Sequence, residues 1–150
     1  MIPWRRSAQA AAKKLRRLCT ISENWKLMLA TAWARASPCS KVGFFVAIGD
    51  PKTPTPHGGF AILRKEVNPI YVSNKSGQRK ELSGPTSPIG DRYLAFHRNG
   101  CGEFGIHGTP WPHWVKTRAA VSLGCVRMLN DHVRQLFDLV DVGTSLEILG

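Results

Sequence analysis

The residues best suited to covalent chemistry are a cysteine in a glycine turn and a histidine upstream of it. Cys125 directly follows Gly124, and His107 lies on a separate segment. A thiol attacks only as the thiolate, so it needs a nearby base or positive charge that lowers its pKa from about 8.5. His107 is the candidate base, and Arg127 is the candidate positive charge. These residues together predict a thiol acyl-transfer site.

Metal binding is the first competing explanation for a set of cysteine and histidine residues. Structural zinc sites use ligands in close pairs, such as two cysteines separated by two residues. None of the four cysteines, Cys19, Cys39, Cys101 and Cys125, stands in such a pair. We therefore expect no metal and no cofactor. A disulfide between Cys19 and Cys39 stays open, and so does an inert, buried role for any of the four.

Length and charge limit the class of protein. The chain has 150 residues, of which 43% are hydrophobic, and this is enough for one globular domain. No apolar run approaches the 18 residues of a membrane-spanning helix. The formal charge of +11 attracts nucleic acid, an anionic membrane or an anionic cell wall. No recognised nucleic-acid-binding motif accompanies the basic residues, so we expect no nucleic acid partner.

Several motifs in a fixed order carry a resemblance to a known family. Residues 105–109 read Gly-Ile-His-Gly-Thr, and residues 122–128 read Ser-Leu-Gly-Cys-Val-Arg-Met. Further matching segments are 46–49, 53–60, 87–94, 143–144 and 146–148, together with Asp131, Leu136 and Val140. From about Lys41 to Leu149 the chain resembles the catalytic domain of the L,D-transpeptidases, the YkuD type.

The resemblance implies a fold and an activity. The fold is mainly β, a sandwich of mixed sheets with one helix after the nucleophile. The activity is transfer of an acyl group from a peptidoglycan stem tetrapeptide to an amine, in the cell envelope, which forms 3-3 cross-links or attaches a wall protein. Two alternatives stay open: an L,D-carboxypeptidase of the same fold, and a catalytically silent, basic wall-binding module.

The resemblance also implies a role for each residue of the site. Cys125 is the nucleophile, His107 is the base, and the main-chain carbonyl of Gly108 holds the imidazole in its working tautomer. The N–H groups of Leu123, Gly124 and Cys125 form the oxyanion hole, while Ser122 and Arg127 bind substrate or orient the site. Leu123 stands where many members of the family carry a second histidine.

Residues 1–40 differ in composition from residues 41–150, which we expect to form the catalytic domain. Residues 8–18 are alanine-rich and basic, which favours a helix, and residues 24–34 are expected to continue as helix. A basic lead, a short apolar stretch and the Ala-Arg-Ala ending at residue 36 resemble a weak export signal. On this interpretation the one or two strands that usually precede residues 42–48 in the family are missing.

The rest of the chain shows strand and turn patterns. We predict an interior strand at 42–48, strands at 60–65 and 71–72, and a long loop at 74–87 that serves as a lid. Asn99-Gly100 is a strong hairpin signal between strands at 93–97 and 103–107. A helix capped by Asn130 carries Val133, Leu136, Phe137 and Val140 on one face and ends at Gly143, before a closing strand at 146–148.

Overall fold

The computed structural model describes residues 18–22, 27–32, 40–74, 77 and 79–150. The strands among them are β1 Leu18–Ser22, β2 Leu27–Ala32, β3 Ser40–Phe45, β4 Ile48–Gly49, β5 Gly58–Ala61, β6 Arg64–Val67, β7 Tyr71–Ser73, β8 Lys80–Leu82, β9 Arg92–Asn99, β10 Gly102–His107, β11 Ala120–Ser122, β12 Val126–Arg127 and β13 Ser145–Leu149. The helices are α1 Pro112–Lys116 and α2 Asn130–Leu139. The predicted mainly β class with mixed sheets is confirmed.

Two larger sheets and two small ones make up this part of the chain. The first sheet has the order β3-β2-β1-β13-β5, with β1 parallel to β13. The second has the order β12-β10-β9-β6, with β10 parallel to β12. β4 pairs with β11, and β7 with β8. Both larger sheets and α2 contribute to one apolar core, which includes Ile21, Leu94, Ile106, Leu136 and Ile148.

The predicted hairpin of β9 and β10 is present, with its turn at Gly100 and Cys101. The pairing is regular from Asn99 opposite Gly102 to His97 opposite Phe104, and it then shifts by one residue, so that Gly105 faces Ala95. Such a bulge leaves one residue of the longer strand without an opposite partner. The shift determines which β9 residue faces His107.

The helix predicted for residues 24–34 is wrong over Leu27–Ala32, which is strand β2. Leu, Met and Ala favour helix weakly, but β2 pairs with both β1 and β3, and tertiary pairing overrides such small propensities. β1 and β2 therefore supply the strands that the sequence interpretation held to be missing, and they extend the sheet before residue 41. The helix predicted at 8–18 and the cleavage site after Ala36 lie outside the described residues, apart from Leu18, which begins β1.

The strand predicted at 42–48 is not an interior strand. β3 lies at the edge of the first sheet as described, and residues 46–47 separate it from β4. The misleading signal was a run that is apolar on both faces, because Phe44 on one face is buried whereas Phe45 on the other remains 45% exposed. The guanidinium of Arg118 lies 4.1 Å from the centre of the Phe45 ring and covers part of it.

The helix after the nucleophile is present, with different ends. Leu129 occupies its N-cap position, and Asn130 is its first residue, without a side-chain capping bond. The Asn130 amide instead donates to the carbonyl of Pro85. The helix ends at Leu139, before Gly143. Val133 and Leu136 are fully buried on the predicted apolar face. No helix in the described ranges is long and apolar enough to cross a bilayer.

Three smaller features differ from expectation. The strand predicted at 60–65 is two strands, β5 and β6, in different sheets. The loop predicted at 74–87 contains β8, which pairs with β7 as a small hairpin. Helix α1, between the histidine and the cysteine, was not predicted. It has one turn and begins at Pro112, a residue favoured at the first helical position.

Candidate active site

The parallel pairing of β10 with β12 brings the cysteine beside the histidine strand. Ile106 faces Val126 and His107 faces Arg127, so Cys125 lies next to Gly105. The Gly105 N–H donates to the Cys125 sulfur at 3.4 Å. Because side chains alternate along a strand, Cys125 and His107 project from the face opposite the buried Ile106 and Val126. The two predicted reactive groups therefore share one face of the sheet.

The turn before the cysteine is closed by Ser122. Its hydroxyl donates to the carbonyl of Cys125 at 2.5 Å and accepts from the Gly124 N–H at 3.1 Å. The carbonyl of Ser122 in turn accepts from the N–H of Asp50 and the hydroxyl of Thr53. Ser122 is only 2% exposed. It therefore orients the turn from a buried position.

Gly124 is required by the geometry of this turn. Its φ is +111°, in the region that side chains rarely adopt. A β-carbon at this position would lie 2.5 Å from the ring of Phe104. Its N–H, predicted to belong to the oxyanion hole, is already engaged by Ser122. Within the described part of the chain no hydrogen bond engages the N–H of Leu123 or Cys125.

His107 is buried, with 3% exposure, and its orientation is fixed by a main-chain oxygen. Its Nδ1 lies 2.6 Å from the carbonyl of Gly108. Because a carbonyl only accepts, a neutral imidazole must carry its proton on Nδ1, which leaves the Nε2 lone pair free to accept one. Burial lowers the pKa of His107 to about 4, and the charge of Arg127 acts in the same direction, whereas the Gly108 bond opposes it.

Close packing behind the imidazole keeps the Gly108 carbonyl in place. A β-carbon on Gly108 would lie 2.0 Å from the side-chain oxygen of Asn130. A β-carbon on Gly90 would lie 2.5 Å from that oxygen and 2.6 Å from the Gly108 α-carbon. The N–H of Gly108 donates to the carbonyl of Arg92. The position of the carbonyl that orients His107 therefore depends on the close contact between Gly90 and Gly108.

A reactive thiol is expected to have a lowered pKa, but the environment of Cys125 raises it. Burial raises its pKa above the ordinary value, and the Glu103 carboxylate adds to this effect. The Gly105 N–H, the Arg127 charge and the Tyr93 hydroxyl act against it. At neutral pH the resting pair is therefore a neutral thiol and a neutral imidazole, so the base must remove the proton during the reaction.

The Arg127 guanidinium lies 4.7 Å from the centre of the Trp114 ring. Among the residues that the structure describes, its buried Nε and Nη1 atoms have no hydrogen-bond partner. Because its charge lowers the pKa of His107 and favours the thiolate of Cys125, its position suits electrostatic tuning of the pair. It does not line the cleft described next.

The sulfur of Cys125 opens into a cleft of about 690 Å³. The inner wall of this cleft consists of Cys125 with Tyr93 and Glu103, from β9 and β10. The outer wall consists of residues 67–71, from the last residue of β6 to the first residue of β7. The cleft is not lined by any of the other four histidines, which are His57, His97, His113 and His132. In the described ranges no three His, Cys, Asp or Glu side chains are grouped so that they could hold a metal ion.

Sequence reasoning missed Tyr93 and Glu103 as parts of the site, because both entered it only as residues of the predicted strands at 93–97 and 103–107. Tyr93 faces His107 across the β9–β10 pair, and the two rings are nearly parallel, with centres 6.0 Å apart. An aromatic residue on the strand predicted to pair with the histidine strand was the available signal. This signal was not enough to place Tyr93 opposite His107, because regular pairing from this turn, without the bulge, places Leu94 there.

Comparison with known proteins identifies the family of the chain. A family model described as the L,D-transpeptidase catalytic domain, YkuD, matches residues 21–148. YqjB of Bacillus subtilis, named as a candidate L,D-transpeptidase, is 37% identical over 109 residues, covering 70% of this chain and 57% of its own length. L,D-transpeptidase 1 of Mycobacterium tuberculosis is 29% identical over 104 residues, covering 69% of this chain and 40% of its own length.

A solved L,D-transpeptidase from Mycobacterium smegmatis superposes with a TM-score of 0.68 at 19% identity, over 90% of this chain and 59% of its own chain. At that identity the match shows the fold alone. The chain spans about half the length of the curated relatives it matches. The match of the family model over most of the sequence establishes that this chain belongs to the YkuD family of L,D-transpeptidase catalytic domains.

Proposed function

We propose that Cys125 catalyses acyl transfer from a peptidoglycan stem tetrapeptide to an amine. The observation that carries this proposal is the position of the sulfur on the wall of an open cleft, beside the strand of a histidine whose Nδ1 is tied to Gly108. A nucleophile, a base and a group that orients the base form the minimal set for covalent acyl transfer. Family membership supplies the substrate class.

In the first half-reaction His107 acts as the base. Nε2 accepts the thiol proton while the sulfur attacks the carbonyl between the third and fourth stem residues. The tetrahedral intermediate then collapses, and the carbon–nitrogen bond breaks. The departing amine takes the proton back from His107, so D-alanine leaves and a thioester on Cys125 remains. A neutral imidazole and a neutral thiol are the correct starting states for this sequence.

The tetrahedral oxyanion needs donors that are already in place. The N–H groups of Leu123 and Cys125 are the candidates, because neither is engaged by another group in the described part of the chain. The Gly124 N–H, which donates to Ser122, braces the turn instead. Arg127 favours the negative sulfur through its charge.

In the second half-reaction an amine attacks the thioester. His107 accepts the amine proton and returns it to the sulfur, so an amide forms and the enzyme is restored. A stem side-chain amine gives a 3-3 cross-link, and an amine of an envelope protein attaches that protein to the wall. If water attacks, the product is a tripeptide and the enzyme is an L,D-carboxypeptidase.

This function places the protein in the cell envelope, where peptidoglycan lies. The net charge of +11 favours association with an anionic wall polymer. Stem peptides are the partners, and an envelope protein is a further candidate acceptor. No metal or cofactor takes part in these steps.

The test is product analysis by mass spectrometry after incubation with a disaccharide tetrapeptide. We expect release of D-alanine and a cross-linked dimer, and no turnover by Cys125→Ala. A matched control is Cys101→Ser, which removes the exposed thiol at the β9–β10 turn and should leave turnover unchanged. Tripeptide without dimer identifies the carboxypeptidase. Binding to sacculi by both wild type and Cys125→Ala, with no turnover by either, identifies the silent wall-binding module.

A further inference from the structure

The side chain of Tyr93 contacts both halves of the proposed catalytic pair. Its ring lies parallel to that of His107, with an angle of 10° between the planes. It also lies over Gly105, where a β-carbon would be 2.4 Å from its Cζ and 2.6 Å from its hydroxyl oxygen. Gly105 thus leaves the space through which the ring reaches across β10. Tyr93 is 8% exposed, so packing fixes its position.

The Tyr93 hydroxyl lies beside Gly105, whose N–H donates to the Cys125 sulfur, and Tyr93 lines the cleft together with Cys125 and Glu103. The sulfur and the Glu103 carboxylate are the two acceptors that compete for its proton, and each is electrostatically coupled to Tyr93. A phenol carries one proton, so a strong bond to either acceptor weakens the bond to the other. The hydroxyl can therefore favour the thiolate only to the extent that Glu103 leaves its proton available.

A third residue bears on this competition. The Arg64 guanidinium donates to the Glu103 carboxylate at 2.6 Å and also pairs with Glu66. An ion pair reduces the negative charge that Glu103 offers to Tyr93. Side-chain exposures of 48% for Arg64 and 30% for Glu103 show that solvent reaches this pair at the cleft. Solvent screens this pair, so it influences the sulfur only at short range, through the Tyr93 hydroxyl and through the Glu103 charge near Cys125.

We propose that Tyr93 is a positioning residue for the Cys125 thiolate, and that the Arg64–Glu103 ion pair directs the Tyr93 hydroxyl proton toward the sulfur. The inference rests on the proposed function, because it concerns the nucleophile of that reaction. As His107 removes the thiol proton, the sulfur becomes a pure acceptor. Tyr93 and the Gly105 N–H then donate to it from the β9–β10 side, while Arg127 supplies positive charge from β12.

The decisive variant is Tyr93→Phe, which keeps the ring on His107 and removes only the hydroxyl. We would measure the rate of Cys125 alkylation by iodoacetamide as a function of pH, following the Cys125 peptide by mass spectrometry in a Cys101→Ser background. Loss of a hydrogen bond to a charged sulfur should slow alkylation about tenfold below the thiol pKa. A purely structural tyrosine would leave this pH profile unmoved.

Glu103→Gln provides a test with the opposite sign. Removing the carboxylate frees the Tyr93 proton and deletes a negative charge near the sulfur, so alkylation below the thiol pKa should become faster. In the Tyr93→Phe background the same substitution should have a smaller effect, because one of its two routes to the sulfur is gone. Equal effects in both backgrounds would overturn the role of the ion pair.

The control is Val142→Ser, since Val142 is exposed and does not line the cleft. This variant should alkylate with the wild-type profile. If Tyr93→Phe also shows the wild-type profile while the wild type turns over tetrapeptide, the inference fails and the proposed function stands.

If the Tyr93→Phe profile shifts while the wild type shows no turnover, the inference about the sulfur stands and the proposed function fails. Thermal unfolding of each variant serves as the folding check. Should Tyr93→Phe lose its cooperative transition, Glu103→Gln alone carries the test, and an unchanged alkylation profile for that variant overturns the inference.

Discussion

The inner and outer walls of the cleft differ in how much freedom their side chains have. On the inner side, Tyr93 and its stacking partner His107 are 8% and 3% exposed, and the turn that carries Cys125 is closed by hydrogen bonds. On the outer wall, Val67 and Ile70 are 56% and 63% exposed. Packing fixes the side chains that carry the proposed chemistry, whereas the side chains of the outer wall are largely exposed and loosely packed.

This contrast separates two kinds of constraint. A β-carbon added behind the inner wall would lie closer than 3.0 Å to a neighbouring atom, the Asn130 side-chain oxygen at Gly108 and the Phe104 ring at Gly124. Substitutions on the outer wall meet solvent. We therefore expect changes to the packed groups behind the inner wall to impair catalysis or folding, and outer-wall changes to alter mainly substrate affinity.

The largest expected effect is that of His107→Gln. It removes the base and should lower kcat for D-alanine release by about 10²–10⁴-fold. His113→Gln is the matched control, because His113 is exposed on α1 and should leave kcat unchanged. The measurement is D-alanine release under saturating tetrapeptide. A kcat for His107→Gln within threefold of wild type would remove His107 from the mechanism.

Gly124→Ala should destabilise the fold by roughly 2–4 kcal/mol, because the positive φ is strained and the methyl group overlaps the Phe104 ring. Gly59→Ala on β5 is the control, since a β-carbon there meets nothing within 4 Å. That control should fall within about 0.5 kcal/mol of wild type. Urea denaturation measures both. Equal free energies of unfolding for the two variants would contradict the claim that the turn requires glycine at position 124.

The depressed pKa of His107 predicts a dependence of stability on pH. Its folded pKa of about 4 lies below the ordinary 6.5, so the unfolded chain binds the proton first as the pH falls. The contribution of neutral His107 is complete above pH 6.5 and is lost as the pH falls toward 4, by roughly 3 kcal/mol. Denaturation at several pH values should show a flatter slope for His107→Gln, and parallel slopes would contradict the burial of a neutral imidazole.

Ile70→Ser on the outer wall should have the smallest effect. Loss of a partly exposed apolar contact with substrate should raise KM about three- to tenfold and leave kcat and stability close to wild type. Val142→Ser is the control, because Val142 is 62% exposed and does not line the cleft. Steady-state kinetics separates the two parameters. A fall in kcat without a change in KM would show that the outer wall contributes to the chemistry.

Residue types and their order predicted Cys125 and His107 as the reactive pair, because such chemistry requires few residues in short motifs. The resemblance to the family predicted the Gly108 carbonyl beside His107, where the structure has it. Strand β2 was mistaken for helix, because its leucine and alanine content is a local property, whereas its pairing with β1 and β3 is not. The bulge in β9 cannot be read from the pattern, and it alone brings Tyr93 opposite His107. The bond of the Gly124 N–H to Ser122 likewise depends on the closed turn.

The central claim is that the Cys125 sulfur forms a thioester in the cleft. Intact-mass spectrometry with a carbapenem, whose strained lactam carbonyl can acylate a thiol, tests it most directly. We predict one adduct per wild-type chain, mapped to the Cys125 peptide, retained in Cys101→Ser and absent from Cys125→Ala. An adduct that persists in Cys125→Ala, or a wild type that gains no mass, would contradict the account.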